Sequence, residues 1–207
     1  MKSHRLYDHL YHATLKWPYI YHAFTQIVSG GHWEKWQNRV LDDLTGKHIL
    51  EIGPGPGKLL LKLAKKGYTV AGVEIRPGMA YEARRRLKGA GFDVDIFHQS
   101  AHKLPFKNET FDCIVGTFVM SEIEDLDEAI KEMKRVLKKK GKVIIIAGSV
   151  PQNNNFMARL IFRLINIGSI RPFGRDNAEY FQKHGFEVKR HDFGPFNMIN
   201  KVVAAKE

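Results

Sequence analysis

The sequence predicts an α/β fold in which a mostly parallel sheet carries helices on both faces. Short apolar runs that suit buried strands alternate with amphipathic stretches that suit helices. Strands that alternate with helices at this spacing form parallel sheets, because each crossover between parallel strands needs about a helix's length of chain. The 207 residues suffice for one domain with a full hydrophobic core.

The predicted elements follow one another from residue 46 onward. Seven stretches are predicted as strands, at 48–53, 68–75, 92–99, 111–119, 141–150, 186–193 and 196–207. Helices are predicted between them at 57–67, 78–91, 122–142, 155–168 and 175–185. Only Gly194 and Pro195 separate the last two strands, and a connection this short makes them antiparallel neighbours.

Residues 1–45 are predicted to form a helical cap, and residues 46–207 the main domain. Leu6, Leu10 and Leu15 follow helical spacing, and a second helix is expected over 32–44. The cap is rich in aromatic residues and holds five of the ten histidines. Those histidines show no metal-site spacing with acidic residues or cysteine, so we predict no metal.

The amino-acid composition limits which classes of protein the sequence can encode. A hydrophobic fraction of 43% and a charged fraction of 27% are ordinary for a soluble globular chain. The single cysteine, Cys113, excludes a disulfide framework and a cysteine zinc site. We expect a cytoplasmic protein, with peripheral attachment to the inner membrane face left open, because neither a signal peptide nor a membrane-length apolar run is visible.

The net charge of +11 suggests an anionic partner, which could be a lipid surface or a nucleic acid. Part of this charge has another origin. The predicted helix over 122–142 is acidic at its start and basic at its end, which complements the helix dipole without any partner.

Three glycines, Gly53, Gly55 and Gly57, lie between the first strand and the first helix of the main domain. Such a loop brings backbone N–H groups close to a ligand. A phosphate-binding P-loop is excluded, because Ile52 stands where its first glycine should be and Leu59 follows Gly57-Lys58. The dinucleotide fingerprint is disfavoured but not excluded, since the third glycine comes one residue early.

With Glu51 two residues before its first glycine, this loop resembles motif I of class I S-adenosylmethionine (SAM)-dependent methyltransferases. The resemblance extends over about 150 residues and implies a Rossmann-like seven-stranded sheet with an antiparallel last strand. It also implies SAM as cofactor and S-adenosylhomocysteine as product. The chemistry agrees: an acid at a strand end suits the SAM amine, and a carboxylate such as Glu74 suits the two ribose hydroxyls.

The resemblance also assigns cofactor-binding residues. Ser100 stands where the family has an aspartate that bonds the adenine amino group, and Ala101 would offer its backbone N–H to the adenine. The segment 111–123 resembles the fourth strand and the loop that lines the methyl-transfer site. The full predicted set is Glu51, Gly53, Pro54, Gly55, Gly57, Glu74, Ile75, Arg76, Ser100, Ala101, Thr117 and Phe118.

Within this class the chain resembles the ubiquinone/menaquinone C-methyltransferases and the small bacterial phospholipid N-methyltransferases. Tyr7-Asp8 and the segment 27–36 resemble their N-terminal helices, which cap the substrate entrance. The resemblance implies a small, apolar or lipid-like acceptor, either an amine or a phenol or quinol. Two alternatives stay open: a nucleic-acid methyltransferase or binder, and a methyltransferase for a soluble polar molecule.

Methylation of a phenol or ring carbon also needs a base, and we consider four candidates: His32, Tyr19, Tyr21 and Glu122. Each has a structural alternative, such as packing for the tyrosines or capping for His32. The predicted helix over 155–168 bears on the acceptor, because only Arg159, Arg163 and Asn166 interrupt its apolar surface. Such a face is either buried against the cap or laid on an anionic lipid surface.

Overall fold

We describe the chain from a computed structural model that covers residue 26, residues 29–148 and residues 175–207. Most of the predicted cap, with Tyr19 and Tyr21, lies outside the described residues. So does the predicted helix over 155–168.

Among the described residues, seven strands form a single sheet. Their ranges are β1 (His48–Ile52), β2 (Thr69–Glu74), β3 (Ile96–His98), β4 (Phe111–Thr117), β5 (Leu137–Gly148), β6 (Phe186–Phe193) and β7 (Ile199–Lys206). The spatial order is β3-β2-β1-β4-β5-β7-β6. Only β7 is antiparallel to its neighbours, β5 and β6. The predicted fold class, with its antiparallel last strand, is confirmed.

Helices cover both faces of the sheet. They are α1 (Trp33–Gln37), α2 (Lys58–Lys65), α3 (Pro77–Gly89), α4 (Leu126–Val136) and α5 (Asn177–Lys183), with short 3-10 turns at Asn38–Asp43, Met120–Glu122 and Pro195–Asn197. One core cluster joins α4 and α5 to the sheet, and a second joins α2 and α3 to it. Within the described ranges, no helix is long and apolar enough to span a membrane.

The predicted helix over 122–142 was wrong at its C-terminal end. The helix stops at Val136, and Leu137 already belongs to β5. Leu137 is fully buried and pairs with Phe111, whereas the next paired residue, Lys142, faces Cys113. The intervening lysine-rich stretch therefore bulges out of the strand. Pairing with β4 and burial of Leu137 outweigh the helix propensity of the lysines.

The direction in which successive strands are added to the sheet reverses beside β1, and this reversal indicates where a binding site is expected. From β1 the chain moves outward through β2 to β3, and then returns to β4 on the other side of β1. In open α/β sheets, ligands bind outside the carboxyl ends of the strands at such a reversal. The carboxyl ends of β1, β2 and β4 are therefore where a site is expected.

Candidate active site

A cavity of about 340 Å³ lies at the carboxyl ends of β1, β2 and β4, within the range of small-molecule sites. It brings together most of the residues that the sequence predicted. Those on its wall are Gly53, Gly55, Glu74, Ile75, Arg76, Ser100, Ala101, Thr117, Phe118 and the candidate base Glu122. Glu51, Pro54, Gly57 and His32 are not on the wall.

The three loop glycines have different roles. All have positive φ, at 64° for Gly53, 53° for Gly55 and 75° for Gly57, which favours glycine. A Cβ on Gly53 would lie 2.4 Å from Val119 Cγ2, and one on Gly57 would lie 2.9 Å from Ala83 Cβ. A Cβ on Gly55 would meet nothing within 4 Å. The missing side chain of Gly53 thus leaves room for the loop after β4, and that of Gly57 lets α2 pack close to α3. Gly55 borders open space.

Glu74 ties the glycine loop to the end of β2. Its Oε2 accepts a hydrogen bond from the Gly55 N–H at 3.0 Å, and its Oε1 accepts one from the Arg76 N–H at 2.9 Å. The side chain lies on the cavity wall although the residue is only 4% exposed. Because each carboxylate oxygen has a further lone pair, Glu74 can still accept two hydrogen bonds from a vicinal diol.

Glu51 is a buried acidic residue whose hydrogen-bonding capacity is only partly used among the described residues. It is 1% exposed, and its Oε2 has no hydrogen-bond partner among the described residues. Burial, reinforced by the charge of Glu74, raises the pKa of Glu51 to about 8. A buried carboxylate of this kind gains strongly from a nearby cation. Glu51 therefore suits a ligand with an ammonium group, reached through the loop or through water.

Residues 50–145 match the family model described as the methyltransferase domain. A demethylmenaquinone methyltransferase of Symbiobacterium thermophilum is 34% identical over 140 residues, which cover 63% of this chain and 55% of the relative. The ubiquinone/menaquinone biosynthesis C-methyltransferase UbiE of Vibrio cholerae is 30% identical over 140 residues, which cover 63% of this chain and 54% of the relative. This chain therefore carries a match to a methyltransferase domain over residues 50–145. It spans about half the length of these two relatives.

The fold of the methyltransferase domain is shared with a SAM-dependent methyltransferase of Thermotoga maritima. The two structures superpose with a TM-score of 0.73 at 21% identity, covering 95% of this chain and all of the other. The cavity also fits the chemistry of SAM, because Glu74 on its wall suits the ribose hydroxyls. The unpartnered Glu51 oxygen lies behind the wall, where it would act on the amine through the loop or through water.

Glu122, one of the two base candidates among the described residues, is already paired. Its Oε2 accepts a hydrogen bond from Arg76 Nη2 at 2.8 Å, and both residues lie on the cavity wall. No sequence pattern predicts this pairing, because the two residues are 46 positions apart. The other candidate, His32, is exposed, and its Nδ1 lies 3.0 Å from the Gly30 carbonyl oxygen. Since a carbonyl only accepts, Nδ1 carries a proton in this contact.

The cap is anchored on the β4 side of the methyltransferase domain. The Trp33 ring stacks on Phe118 with centroids 4.0 Å apart, and Gln37 Nε2 donates to Thr117 Oγ1 at 2.8 Å. Phe118 has a left-handed backbone, with φ of 55°, and its N–H donates to Ile146 O at 2.7 Å. Strained non-glycine residues cluster at functional sites, and Phe118 lies on the cavity wall.

At the other end of the cavity, the Ser100 hydroxyl lies against His102. The His102 N–H donates to Ser100 Oγ at 3.2 Å, and His102 Nδ1 is 3.0 Å from the same oxygen. His102 lies on the wall beside Ser100 and Ala101, although it is not among the residues predicted from the sequence. No motif points to it, because its role depends on side-chain direction rather than on spacing.

Proposed function

We propose that the protein transfers the methyl group of SAM to a small, apolar, aromatic acceptor of the quinol type. The observation that carries the cofactor part is the position of Glu74, which holds the glycine loop and faces the cavity at once. The acceptor class is supported by the two relatives named for demethylmenaquinone and ubiquinone/menaquinone methylation.

The sheet order suggests how SAM lies in the cavity. Glu51 is the last residue but one of β1, Glu74 ends β2, and Ser100 follows β3, and these three strands are consecutive neighbours. The amine, the ribose and the adenine would then follow the strands in that order. When bound, SAM supplies an electrophilic methyl group on its sulfonium. This arrangement would direct that methyl group toward the end of β4 at Thr117 and the next two residues, Phe118 and Val119.

The side of the cavity after β4 suits a planar apolar acceptor. Phe118, Val119 and Ile123 line the cavity there, and Trp33 stacks behind Phe118. These side chains would position an aromatic ring and exclude water from it. Positioning and exclusion of water supply much of the catalysis in an in-line displacement. Neither described base candidate is assigned this role, because Glu122 lies on the cavity wall but accepts a hydrogen bond from Arg76, whereas His32 does not line the cavity.

The experiment is an acceptor screen with methyl-labelled SAM and the purified full chain. The panel contains demethylated naphthoquinols and benzoquinols, small amines, thiols, a phospholipid extract and RNA, and Glu74→Ala is the negative control. We expect label in the quinol fraction, attached to a ring carbon by mass spectrometry. Label confined to amines, thiols, phospholipid or RNA would contradict the quinol acceptor and leave the methyltransferase activity standing. Absence of SAM binding would contradict the whole proposal.

A further inference from the structure

We propose that His102, rather than Ser100, recognises the amino group of the SAM adenine. The family resemblance implied this role for Ser100. The inference rests on the proposed position of SAM in the cavity, and it assigns a specificity-determining residue that no sequence motif indicates.

The Ser100 hydroxyl oxygen is already used within the protein. It accepts the His102 N–H at 3.2 Å and lies 3.0 Å from His102 Nδ1. A hydroxyl oxygen has two acceptor lone pairs. If Nδ1 carries the proton, both lone pairs are filled by His102, and Ser100 has no acceptor capacity left for an adenine amino group. Ser100 then acts by fixing the orientation and tautomer of the imidazole.

The same arrangement leaves His102 Nε2 as a hydrogen-bond acceptor. This nitrogen is buried and has no hydrogen-bond partner within the described part of the chain, and His102 lies on the cavity wall. A buried polar atom without a partner is costly, so a ligand that donates a hydrogen bond to it gains from the contact. The adenine amino group is a donor of this kind.

The position of His102 agrees with the order of the SAM groups along the sheet. The Gln99 N–H donates to Glu74 O at 3.2 Å, so the segment that carries Ser100 and His102 leaves the sheet beside Glu74. Neighbouring strands lie roughly 4.8 Å apart. With the ribose on Glu74 and the amine toward Glu51, the adenine therefore extends to the opposite side, toward Ser100 and His102.

The test compares two ligands on matched variants by calorimetry. The ligands are S-adenosylhomocysteine and its analogue with unsubstituted purine, which lacks only the amino group. The variants are His102→Leu, which has no acceptor, and His102→Asn, which offers an amide oxygen. His191→Ala, an exposed histidine on β6, is the control.

For the wild type and His191→Ala, we expect loss of the amino group to weaken binding by about threefold to tenfold, the effect of one neutral hydrogen bond. His102→Leu should bind S-adenosylhomocysteine weaker by a similar factor and should no longer distinguish the ligands. His102→Asn should recover part of the discrimination. If His102→Leu still distinguishes the two ligands as strongly as the wild type does, the role of His102 is contradicted and the proposed function stands. Failure of the wild type to bind S-adenosylhomocysteine would overturn the proposed function as well.

Discussion

The Arg76 guanidinium donates a hydrogen bond to the Glu122 carboxylate, with 2.8 Å between Nη2 and Oε2. The pair joins the segment after β2 to the 3-10 turn after β4, and both residues line the cavity. The Arg76 N–H also donates to Glu74, the acid proposed to hold the ribose. Glu122 is therefore linked through Arg76 to the cofactor side of the cavity.

We expect Glu122 to position Arg76 rather than to remove a proton. Glu122→Gln keeps an oxygen for Arg76 but loses the charge, so the KM for SAM should rise about twofold to fivefold with little change in kcat. Arg76→Gln should have a similar effect, and the double variant should be no worse than either single one. Steady-state kinetics check this. A fall of kcat by about 10²-fold to 10⁴-fold in Glu122→Gln alone would identify Glu122 as the base.

Glu51 should make the stability of the protein depend on pH. Its pKa rises from 4.5 to about 8 on folding, so the folded state keeps a proton that the unfolded state has lost. Stability should therefore fall as the pH rises between these values, by up to about 1.4 kcal/mol per pH unit, and level off above the folded pKa. Denaturant titrations of the wild type and of Glu51→Gln at a series of pH values measure this change in the free energy of unfolding. Parallel pH profiles for the two proteins would show that Glu51 ionises freely in the folded state.

The stack between Trp33 and Phe118 should matter for the acceptor. Trp33→Leu removes an aromatic pair that contributes about 0.5–1.5 kcal/mol, so the KM for the acceptor should rise about twofold to tenfold. Binding of S-adenosylhomocysteine should change by less than about twofold, because Trp33 is not on the cavity wall. Lys35→Leu, an exposed change on the same helix, is the control. Equal losses of cofactor and acceptor binding would show that Trp33 supports the whole site.

Much of this domain follows from local sequence. The alternation of apolar runs with amphipathic stretches predicts the parallel sheet, and a two-residue connection predicts the antiparallel last pair. The glycine loop and Glu74 also follow from sequence, because their spacing reflects where the backbone turns. The cavity accordingly contains both Gly53 and Glu74.

What sequence could not predict depends on side chains that meet through the fold. The contact of Arg76 with Glu122 and the orientation of His102 by Ser100 are set by rotamers in the folded chain. The true end of α4 was missed for a related reason, because pairing of Leu137 with Phe111 is a tertiary interaction. Local propensity favours helix through the lysines and carries no information about that partner strand.

The central claim, that SAM binds in this cavity on Glu74, is tested most directly by calorimetric titration of S-adenosylhomocysteine into wild type, Glu74→Ala and Glu187→Ala. Glu187 is an exposed acid on β6, far along the sheet from β2, and controls for loss of charge. We predict that Glu74→Ala weakens binding by roughly 1.5–3 kcal/mol, the range for losing charge-assisted hydrogen bonds, and that Glu187→Ala leaves it unchanged. Wild-type affinity in a folded Glu74→Ala protein would contradict the claim.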